Sequence, residues 1–405
     1  MDWVIAIILL LYGTLTGAPT EQPAPLVKLF EQAHAAVNPS LAENAGGGTT
    51  VAGTDGESAA NQVEPALPLG SDPQPDAPKI RGVYVTSHSA GGARMETLLQ
   101  LLRDTELNSM VIDVKDDYGY ITYPTTNPEL LKLGTAKKYI KDIEAMMARL
   151  KAEDVYPIAR IVVFKDTVLA RQHPELSFKR GDGTVWENNK GDSFVNPYSK
   201  EVWDYNIALA KEVAALGFKE IQFDYVRFPE GFEKKADHLQ YAKTEESRVD
   251  IVAGFVKYAK EQLEPLGVRV SVDIFGYAAS VPAAEGIGQD FVKISEHVHV
   301  ISPMVYPSHY STGWFNVKDP DRDPYATIKG SMEDTHEKLA PIADRKPIIR
   351  PWIQDFTASW LGKGHYIKYG KAEVEAQIQA LHDTGVEEYL LWNAGNKYSE
   401  GVTYK

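Results

Sequence analysis

Residues 199–226 read SKEVWDYNIALAKEVAALGFKEIQFDYV. From Ser199 to Leu216 the apolar residues recur with the 3.6-residue period of a helix, and Gly217 then ends that helix. A short apolar run, Glu220–Val226, follows after two residues. A helix that leads directly into a buried strand is the unit from which α/β domains are built. The stretch therefore predicts an α/β fold, provided that the unit repeats.

The same alternation recurs along the chain from Ile80 to Lys405. The predicted strands are Ile80–Thr86, Ser109–Lys115, Tyr156–Phe164, Glu220–Val226, Val270–Gly276, Val298–Tyr306, Pro347–Gln354 and Glu388–Ala394. Further helical patterns are Tyr139–Leu150, Glu246–Leu263 and Ala372–Thr384. Eight such units predict a (β/α)8 TIM barrel, although no helical pattern follows the eighth strand. A doubly wound sheet is the competing fold, but no glycine-rich phosphate turn follows the first strand.

The chain begins with two segments of different character. Residues 3–12 read WVIAIILLLY, an apolar run that is shorter than a comfortable membrane span. We predict that residues 1–18 are a signal peptide or a signal anchor, with a membrane tether possible through residues 3–17. We predict that residues 19–79 form a low-complexity, disordered linker and that residues 80–405 form the barrel. This organisation predicts an extracytoplasmic protein, secreted or membrane-anchored at the bacterial cell envelope.

Composition excludes several kinds of chemistry. The 405 residues contain no cysteine, so disulfides, thiol nucleophiles and cysteine metal sites are absent. The formal net charge of −14 argues against nucleic acid as a partner. His297 and His299 have the spacing of a metal pair but lie at the start of a strand, the wrong end for barrel chemistry. We expect no cofactor and no metal, with calcium at Asp113, Asp116 and Asp117 left open.

Polar side chains interrupt the predicted strands on one parity. Parallel barrel strands are buried on both faces, and their side chains alternate between the helix layer and the barrel axis. Because the apolar parity suits the helices, the polar parity is predicted to point inward. It comprises Asp113, Lys115, Gln222, Asp224, Ser271, Asp273, Arg350, Trp352 and Gln354. One inward Asp paired with Arg160 or Arg350 would be a buried ion pair, whereas three converging carboxylates predict a functional site.

Several runs resemble a bacterial glycoside hydrolase family whose barrel is similar to that of the alpha-amylase superfamily. They are IRGVYVT (80–86), VIDVKDDYG (111–119), FDYVRFP (223–229), SVDIFG (271–276) and SPMVYPSHY (302–310). The resemblance covers Lys79 to Lys405. It implies a nucleophile at the end of strand four, which is Asp224 here, and an acid/base at strand five, which is Asp273.

We therefore expect hydrolysis or transfer of glycosidic bonds in an extracellular or cell-wall polysaccharide. One carboxylate must be ionised and one carboxyl protonated. Asp224 is the predicted nucleophile or base, kept ionised by Arg227 or Arg160, and a drier setting is expected to raise the pKa of Asp273, the general acid. Asp113 is a reserve catalytic candidate. The predicted substrate-binding residues are Tyr84, Asp113, Lys115, Arg160, Arg227, Tyr306, Trp352, Gln354 and Trp392. A non-catalytic, envelope-tethered saccharide-binding barrel is the alternative.

Overall fold

The computed structural model describes residues 72–344 and 346–405, and these contain a closed barrel of parallel strands. The strands are β1 Arg81–Val85, β2 Ser109–Lys115, β3 Tyr120–Ile121, β4 Thr135–Ala136, β5 Tyr156–Val162, β6 Glu220–Asp224, β7 Arg269–Phe275, β8 Val300–Met304, β9 Ile348–Ile349, β10 Trp352–Gln354 and β11 Tyr389–Trp392. Pairing of β1 with both β2 and β11 closes the barrel, and β9 and β10 are two parts of its seventh strand. The predicted (β/α)8 barrel is confirmed.

Helices surround these strands, and the four predicted helices are all present. They are α1 Ser87–Ala90, α2 Arg94–Arg103, α3 Pro128–Leu133, α4 Ile143–Ala152, α5 Thr167–Gln172, α6 Lys200–Ala215, α7 Arg248–Leu263, α8 Phe291–Ser295, α9 Pro324–Leu339 and α10 Lys371–Asp383. The largest shift of a boundary is in α4, which was predicted to begin at Tyr139. Asp142 accepts a hydrogen bond from the backbone N–H of Ala145 and caps the helix there. None of the described helices has the length and apolar character needed to cross a bilayer.

The chain after β11 is irregular and packs back against that strand. Residues 393–405 contain no helix, yet Val402 and Tyr404 are buried. The hydroxyl of Tyr389, the first residue of β11, donates a hydrogen bond to the carbonyl oxygen of Tyr404 (2.8 Å). An irregular segment therefore covers the last strand with apolar side chains, and this is why the sequence shows no helical period there.

Residues 72–79, which the sequence analysis assigned to the linker, lie against the amino end of the barrel. Asp72 forms an ion pair with Arg269, the first residue of β7. The side-chain amide of Gln74 donates to the carbonyl oxygens of Lys219 (2.5 Å) and Gly267 (3.1 Å), which precede β6 and β7. The ordered domain therefore starts before Ile80. The predicted leader and the remainder of the predicted linker lie outside the described residues.

Charged side chains also pair inside the amino end of the barrel. Arg350 lies between β9 and β10 and is fully buried. It donates to Glu220 (2.8 Å), the first residue of β6, and to Glu388 (2.7 Å), just before β11. These contacts make Arg350 part of a buried ion-pair network that joins three strands, although its partners are glutamates and not the inward Asp considered from the sequence.

Candidate active site

At the carboxyl half of each barrel strand, or shortly after the strand in the case of Tyr306, one polar or aromatic side chain joins a common cluster. In chain order these are Tyr84, Asp113, Arg160, Asp224, Asp273, Tyr306, Trp352 and Trp392. Hydrogen bonds, ring contacts and electrostatic interactions connect them to one another across the barrel axis. The structure thus brings together eight of the residues that the sequence analysis proposed. Barrel enzymes carry their chemistry at this end.

Arg160 is the centre of the cluster. Its guanidinium donates from Nη1 to Asp113 Oδ1 (2.7 Å), from Nε to Asp224 Oδ2 (3.0 Å) and from Nη2 to Asp117 Oδ1 (2.9 Å). Only about 1% of its side chain is exposed. A buried guanidinium is tolerated when its donors are matched to carboxylates, because each partner compensates the desolvation of the other. Of the two arginines proposed as partners of Asp224, the structure shows Arg160 in this role.

Asp273 has different surroundings from Asp224, although both are buried. Its Oδ1 accepts a hydrogen bond from the indole N–H of Trp352 (2.7 Å). Burial, followed by repulsion from the Asp224 carboxylate, raises the pKa of Asp273 well above its usual range. One carboxyl of the pair is therefore bound by a guanidinium, while its neighbour favours the protonated form.

Asp113 is a third buried carboxyl in the same interior. The hydroxyl of Tyr84 donates to its Oδ2 (2.6 Å), and Arg160 contacts its Oδ1. Burial raises the pKa of Asp113 to about 6, against the opposing effects of Arg160 and Tyr84. A carboxyl whose pKa is raised toward neutral pH is suited to proton transfer, so Asp113 stays a reserve candidate for catalysis.

Aromatic rings line the interior around the carboxyls. Tyr84 and Trp392 are stacked, with ring centroids 4.0 Å apart, and Trp352 meets Trp392 edge to face at 5.5 Å. Tyr306 lies 6.4 Å from Trp392. Trp392 remains partly exposed, whereas the other three rings are buried. An apolar wall that is open at one ring is the kind of surface on which a sugar ring can pack.

The rim of this cluster contains residues that sequence reasoning missed. Asp117 is 39% exposed and contacts Arg160 and Lys165, whose charges lower its pKa to about 2 although burial opposes this. Lys165 also lies 3.3 Å from the hydroxyl of Tyr225 and 3.6 Å from Asp192. Asp117 had been considered only as a calcium ligand. In the sequence, the Asp116-Asp117 doublet directly after β2 is the pattern that could have indicated an acidic residue at this rim.

Tyr225 reaches this rim because the chain leaves strand geometry directly after Asp224. Its φ is +52°, in the left-handed region that bulky residues rarely adopt. The alternation within the strand had predicted that Tyr225 faces the helices, but the observed backbone turn directs its phenol to Asp117 (3.3 Å). Strained backbone of this kind is concentrated at functional sites.

Lys115 was predicted to point inward, and that prediction is wrong. The pairing of β2 with β5 shifts between Asp113, opposite Arg160, and Lys115, opposite Ile161. The extra residue in β2 is a β-bulge, which reverses the parity beyond it. The ammonium of Lys115 therefore lies away from the carboxyl cluster, where it pairs with Asp166 (2.7 Å).

Gln354 and Arg227 bind neighbouring loops. The amide of Gln354 accepts from the backbone N–H of Ser308 and donates to Asp321 (2.8 Å), so it holds the segment after β8, and its predicted contact with substrate stays a prediction. Arg227 donates to the carbonyl oxygen of Phe228 (3.0 Å) and to Glu230 (3.2 Å). Its position after β6 lets the guanidinium brace this loop.

The residues left open for calcium are engaged elsewhere. Asp116 Oδ1 accepts hydrogen bonds from the backbone N–H groups of Tyr118, Gly119 and Tyr120, and so it caps the turn after β2. Asp113 and Asp117 are bound to Arg160. Across residues 72–344 and 346–405, no group of three or more histidine or acidic side chains is arranged to hold a metal ion.

Comparison with known proteins places this chain among carbohydrate-active folds. A family model described as "Putative glycosyl hydrolase domain" matches residues 82–398. A hypothetical protein from Ruminiclostridium thermocellum ATCC 27405 is 34% identical, covering 47% of this chain and 96% of its own, with a TM-score of 0.43. The PgaB (BpsB) glycoside hydrolase domain from Bordetella bronchiseptica is 13% identical, covers 79% and 95% of the two chains, and has a TM-score of 0.52, which shows the fold. No curated protein matches the chain.

Proposed function

The chain belongs to the family described as "Putative glycosyl hydrolase domain", whose model spans residues 82–398, and from this membership we propose that it hydrolyses or transfers O-glycosidic bonds. The proposed substrate is an extracellular or cell-wall polysaccharide. Asp224 acts as nucleophile or base, and Asp273 acts as general acid. The leader of residues 1–18, which lies outside the described residues, would export the protein or anchor it at the cell envelope.

The unequal surroundings of Asp224 and Asp273 are the observation that carries this proposal. Cleavage of a glycosidic bond requires one ionised carboxylate at the anomeric carbon and one protonated carboxyl at the leaving oxygen. Arg160 compensates the charge of Asp224 through two of its nitrogens. Burial and the neighbouring Asp224 charge keep Asp273 protonated to a higher pH than an ordinary aspartate. A guanidinium beside one carboxyl and a raised pKa at the other support the roles proposed for the pair.

Substrate binding is assigned to the aromatic wall and to the remaining polar groups. Sugar rings have apolar C–H faces, which pack on Tyr306, Trp352 and Trp392, and hydroxyl groups, which bind carboxylates and guanidinium groups. Asp113 and Arg160 supply such groups beside the catalytic pair. All of these side chains come from strands or strand ends, so the barrel itself positions them.

A saccharide-binding barrel without catalysis is the second candidate, and one observation favours it. Asp224 and Asp273 are only 4% and 2% exposed. In a protein that cleaves, a substrate has to displace part of this covering before the anomeric carbon can reach the carboxyls. A binding protein needs contact only with the partly exposed Trp392 and Asp117.

The test is a screen of the purified full-length chain against cell-wall and biofilm glycans, with release of reducing ends as the readout. We expect cleavage of at least one glycan, and a loss on the order of 10³-fold or more in kcat for Asp224→Asn. Asp204→Asn is the matched control, because Asp204 is exposed on α6. NMR of the anomeric configuration of the first product then assigns the role of Asp224. Retention of configuration indicates a nucleophile, and inversion indicates a base.

Two outcomes would contradict the proposal. If the chain retains a glycan but releases no reducing ends, the binding barrel is the better description. If Asp224→Asn cleaves as fast as Asp204→Asn while both unfold at the wild-type temperature, the carboxylate role is assigned to the wrong residue.

A further inference from the structure

Tyr118 has an unusual degree of exposure for a large side chain. It is 59% exposed, and among the described residues only Leu131 and Leu266 are comparable large hydrophobic side chains in this respect. Exposed apolar side chains that occur singly need no explanation by themselves. Tyr118 differs from the two leucines because hydrogen bonds fix the turn that carries it, and because it follows Asp117 in the chain.

The turn that carries Tyr118 is rigid. Asp116 Oδ1 accepts from three successive backbone N–H groups at 3.0–3.1 Å, beginning with that of Tyr118. Gly119 has a φ of +103°, which a glycine adopts without strain. The backbone N–H of Val168 donates to the carbonyl oxygen of Tyr118 (3.1 Å) and joins the turn to the start of α5. The backbone that carries the exposed ring is therefore held in place before any ligand arrives.

A second ring extends the surface of the first. Tyr118 and Tyr120 are stacked, with centroids 6.5 Å apart and ring planes inclined by 22°. The ammonium of the exposed Lys137 lies 4.7 Å from the centroid of Tyr120. We call Tyr118 and Tyr120 the tyrosine shelf. It combines an apolar face with an adjacent cationic donor, which together match the C–H face and the hydroxyl groups of a sugar.

The tyrosine shelf lies directly beside the carboxylate cluster. Asp117 is the residue before Tyr118. It accepts a hydrogen bond from Arg160 (2.9 Å), which also binds Asp224. Consecutive Cα atoms are about 3.8 Å apart, so the shelf begins one residue from the rim of the cluster. The tyrosine shelf therefore directly follows, along the chain, the partly exposed rim residue that Arg160 binds.

We propose that the tyrosine shelf is a sugar-binding subsite, on which a ring of the polysaccharide outside the cleaved bond stacks. This inference rests on the proposed function, and it makes the substrate an oligomer or polymer of several sugars. Binding energy from a remote ring orders the reacting ring against the carboxyls. The rigid turn reduces the entropic cost of that contact.

Retention in native gels that contain a soluble polysaccharide tests the shelf. The probes are hydroxyethyl cellulose, glycol chitin, amylose and xylan, and the protein is the full-length chain with Asp224→Asn, so that bound polymer is not consumed. We expect at least one probe to retard the protein. Adding Tyr118→Ala should weaken the apparent affinity roughly 3- to 10-fold, and Tyr118→Phe should restore it, because stacking requires the ring and not the hydroxyl.

Leu266→Ala in the same background is the matched control. Leu266 is 49% exposed but precedes β7 at the amino end of the barrel, so its removal is expected to leave retention unchanged. The shelf is wrong if no probe retards the protein, or if Tyr118→Ala and Leu266→Ala behave alike. Retention that depends on Tyr118, in a chain that cleaves no glycan, would support the shelf and contradict the catalytic proposal.

Discussion

Asp224 and Asp273 show how surroundings divide one side-chain type into two chemical roles. Arg160 pairs with the first, whereas the second is buried against Trp352 and repelled by the first. In water both carboxyls would titrate near a pKa of about 3.9. The raised pKa of Asp273 comes from burial and from the charge of Asp224 on the neighbouring strand, so it depends on the folded barrel.

The raised pKa of Asp273 predicts the pH dependence of the activity. A group with a raised pKa keeps its proton below that value and loses it above, so kcat/KM should fall on the alkaline side as the acid ionises. Asp273→Asn should lower kcat by about 10²–10⁴-fold and remove this alkaline limb. Measurement of kcat/KM from pH 4 to 10 for the wild type and the variant checks both effects.

Asp113 provides the alternative reading of the same experiment. Its pKa is raised to about 6, so an acid at this position would give an alkaline limb near that pH. If the limb lies near pH 6, persists in Asp273→Asn and disappears in Asp113→Asn, the general acid is Asp113. In that case Asp273 would position the neighbouring groups.

Among the elements, β2 and the turn that follows it decide which side chains reach the site. The bulge before Lys115 sends that side chain to Asp166, and Asp116 then caps the turn that places Asp117 at the rim. Gly119 packs against the same Asp166 carboxylate, and a Cβ at this position would overlap Asp166 Oδ1. The buried ion pair between Lys115 and Asp166 therefore packs against the turn and supports it.

Replacement of Gly119 tests this arrangement. Gly119→Ala combines a strained positive φ with a collision against Asp166, so we expect a loss of about 2–4 kcal/mol in the free energy of unfolding. Gly183→Ala is the control, since its φ is +84° and an added Cβ meets no atom within 4 Å. It should cost only about 1 kcal/mol. Equal losses in urea denaturation would show that the contact with Asp166 is unimportant.

Across the whole molecule, the two ends of the barrel serve different purposes. The amino end is closed by the network of Arg350, Glu220 and Glu388 and by residues 72–79. The carboxyl end holds the carboxyls, the aromatic wall and the tyrosine shelf. This division is general in TIM barrels, where one end contributes stability and the other contributes chemistry.

Asp72 provides a test of the amino end. Arg269 is 3% exposed and lowers the pKa of Asp72, although burial opposes this. A carboxylate with a lowered pKa stabilises the fold at pH values above its unfolded pKa, and this contribution is lost as the pH falls through the folded pKa. Asp72→Asn should cost about 1 kcal/mol at pH 7 and clearly less near pH 2, where protonation of Asp72 weakens the ion pair.

The matched control is Asp76→Asn, because Asp76 is exposed in the same segment. Thermal unfolding of the full-length variants at the two pH values gives the comparison. A similar effect of both substitutions, or an effect of Asp72→Asn that persists undiminished at low pH, would contradict the role assigned to the ion pair with Arg269.

Much of the fold was predictable because helix period and strand alternation are local properties of the chain. The bounds of β2 were predicted as observed, and β6 begins at the predicted Glu220. The same alternation placed Asp113, Asp224 and Asp273 on one face. It failed where local geometry departs from a regular strand, at the bulge before Lys115 and at Tyr225, since a single irregular residue reverses the direction of the next side chain.

By itself, the sequence determined the (β/α)8 class and the inward direction of the acidic residues, because hydrophobic periodicity is set by neighbours a few positions apart. The choice of partners was decided only by the tertiary structure. Arg160 is 47 residues from Asp113 and 64 from Asp224, and the parallel pairing of β5 with β2 and β6 brings their charges into contact. The raised pKa of Asp273 follows from burial and from the neighbouring Asp224 charge, which are properties of the folded molecule.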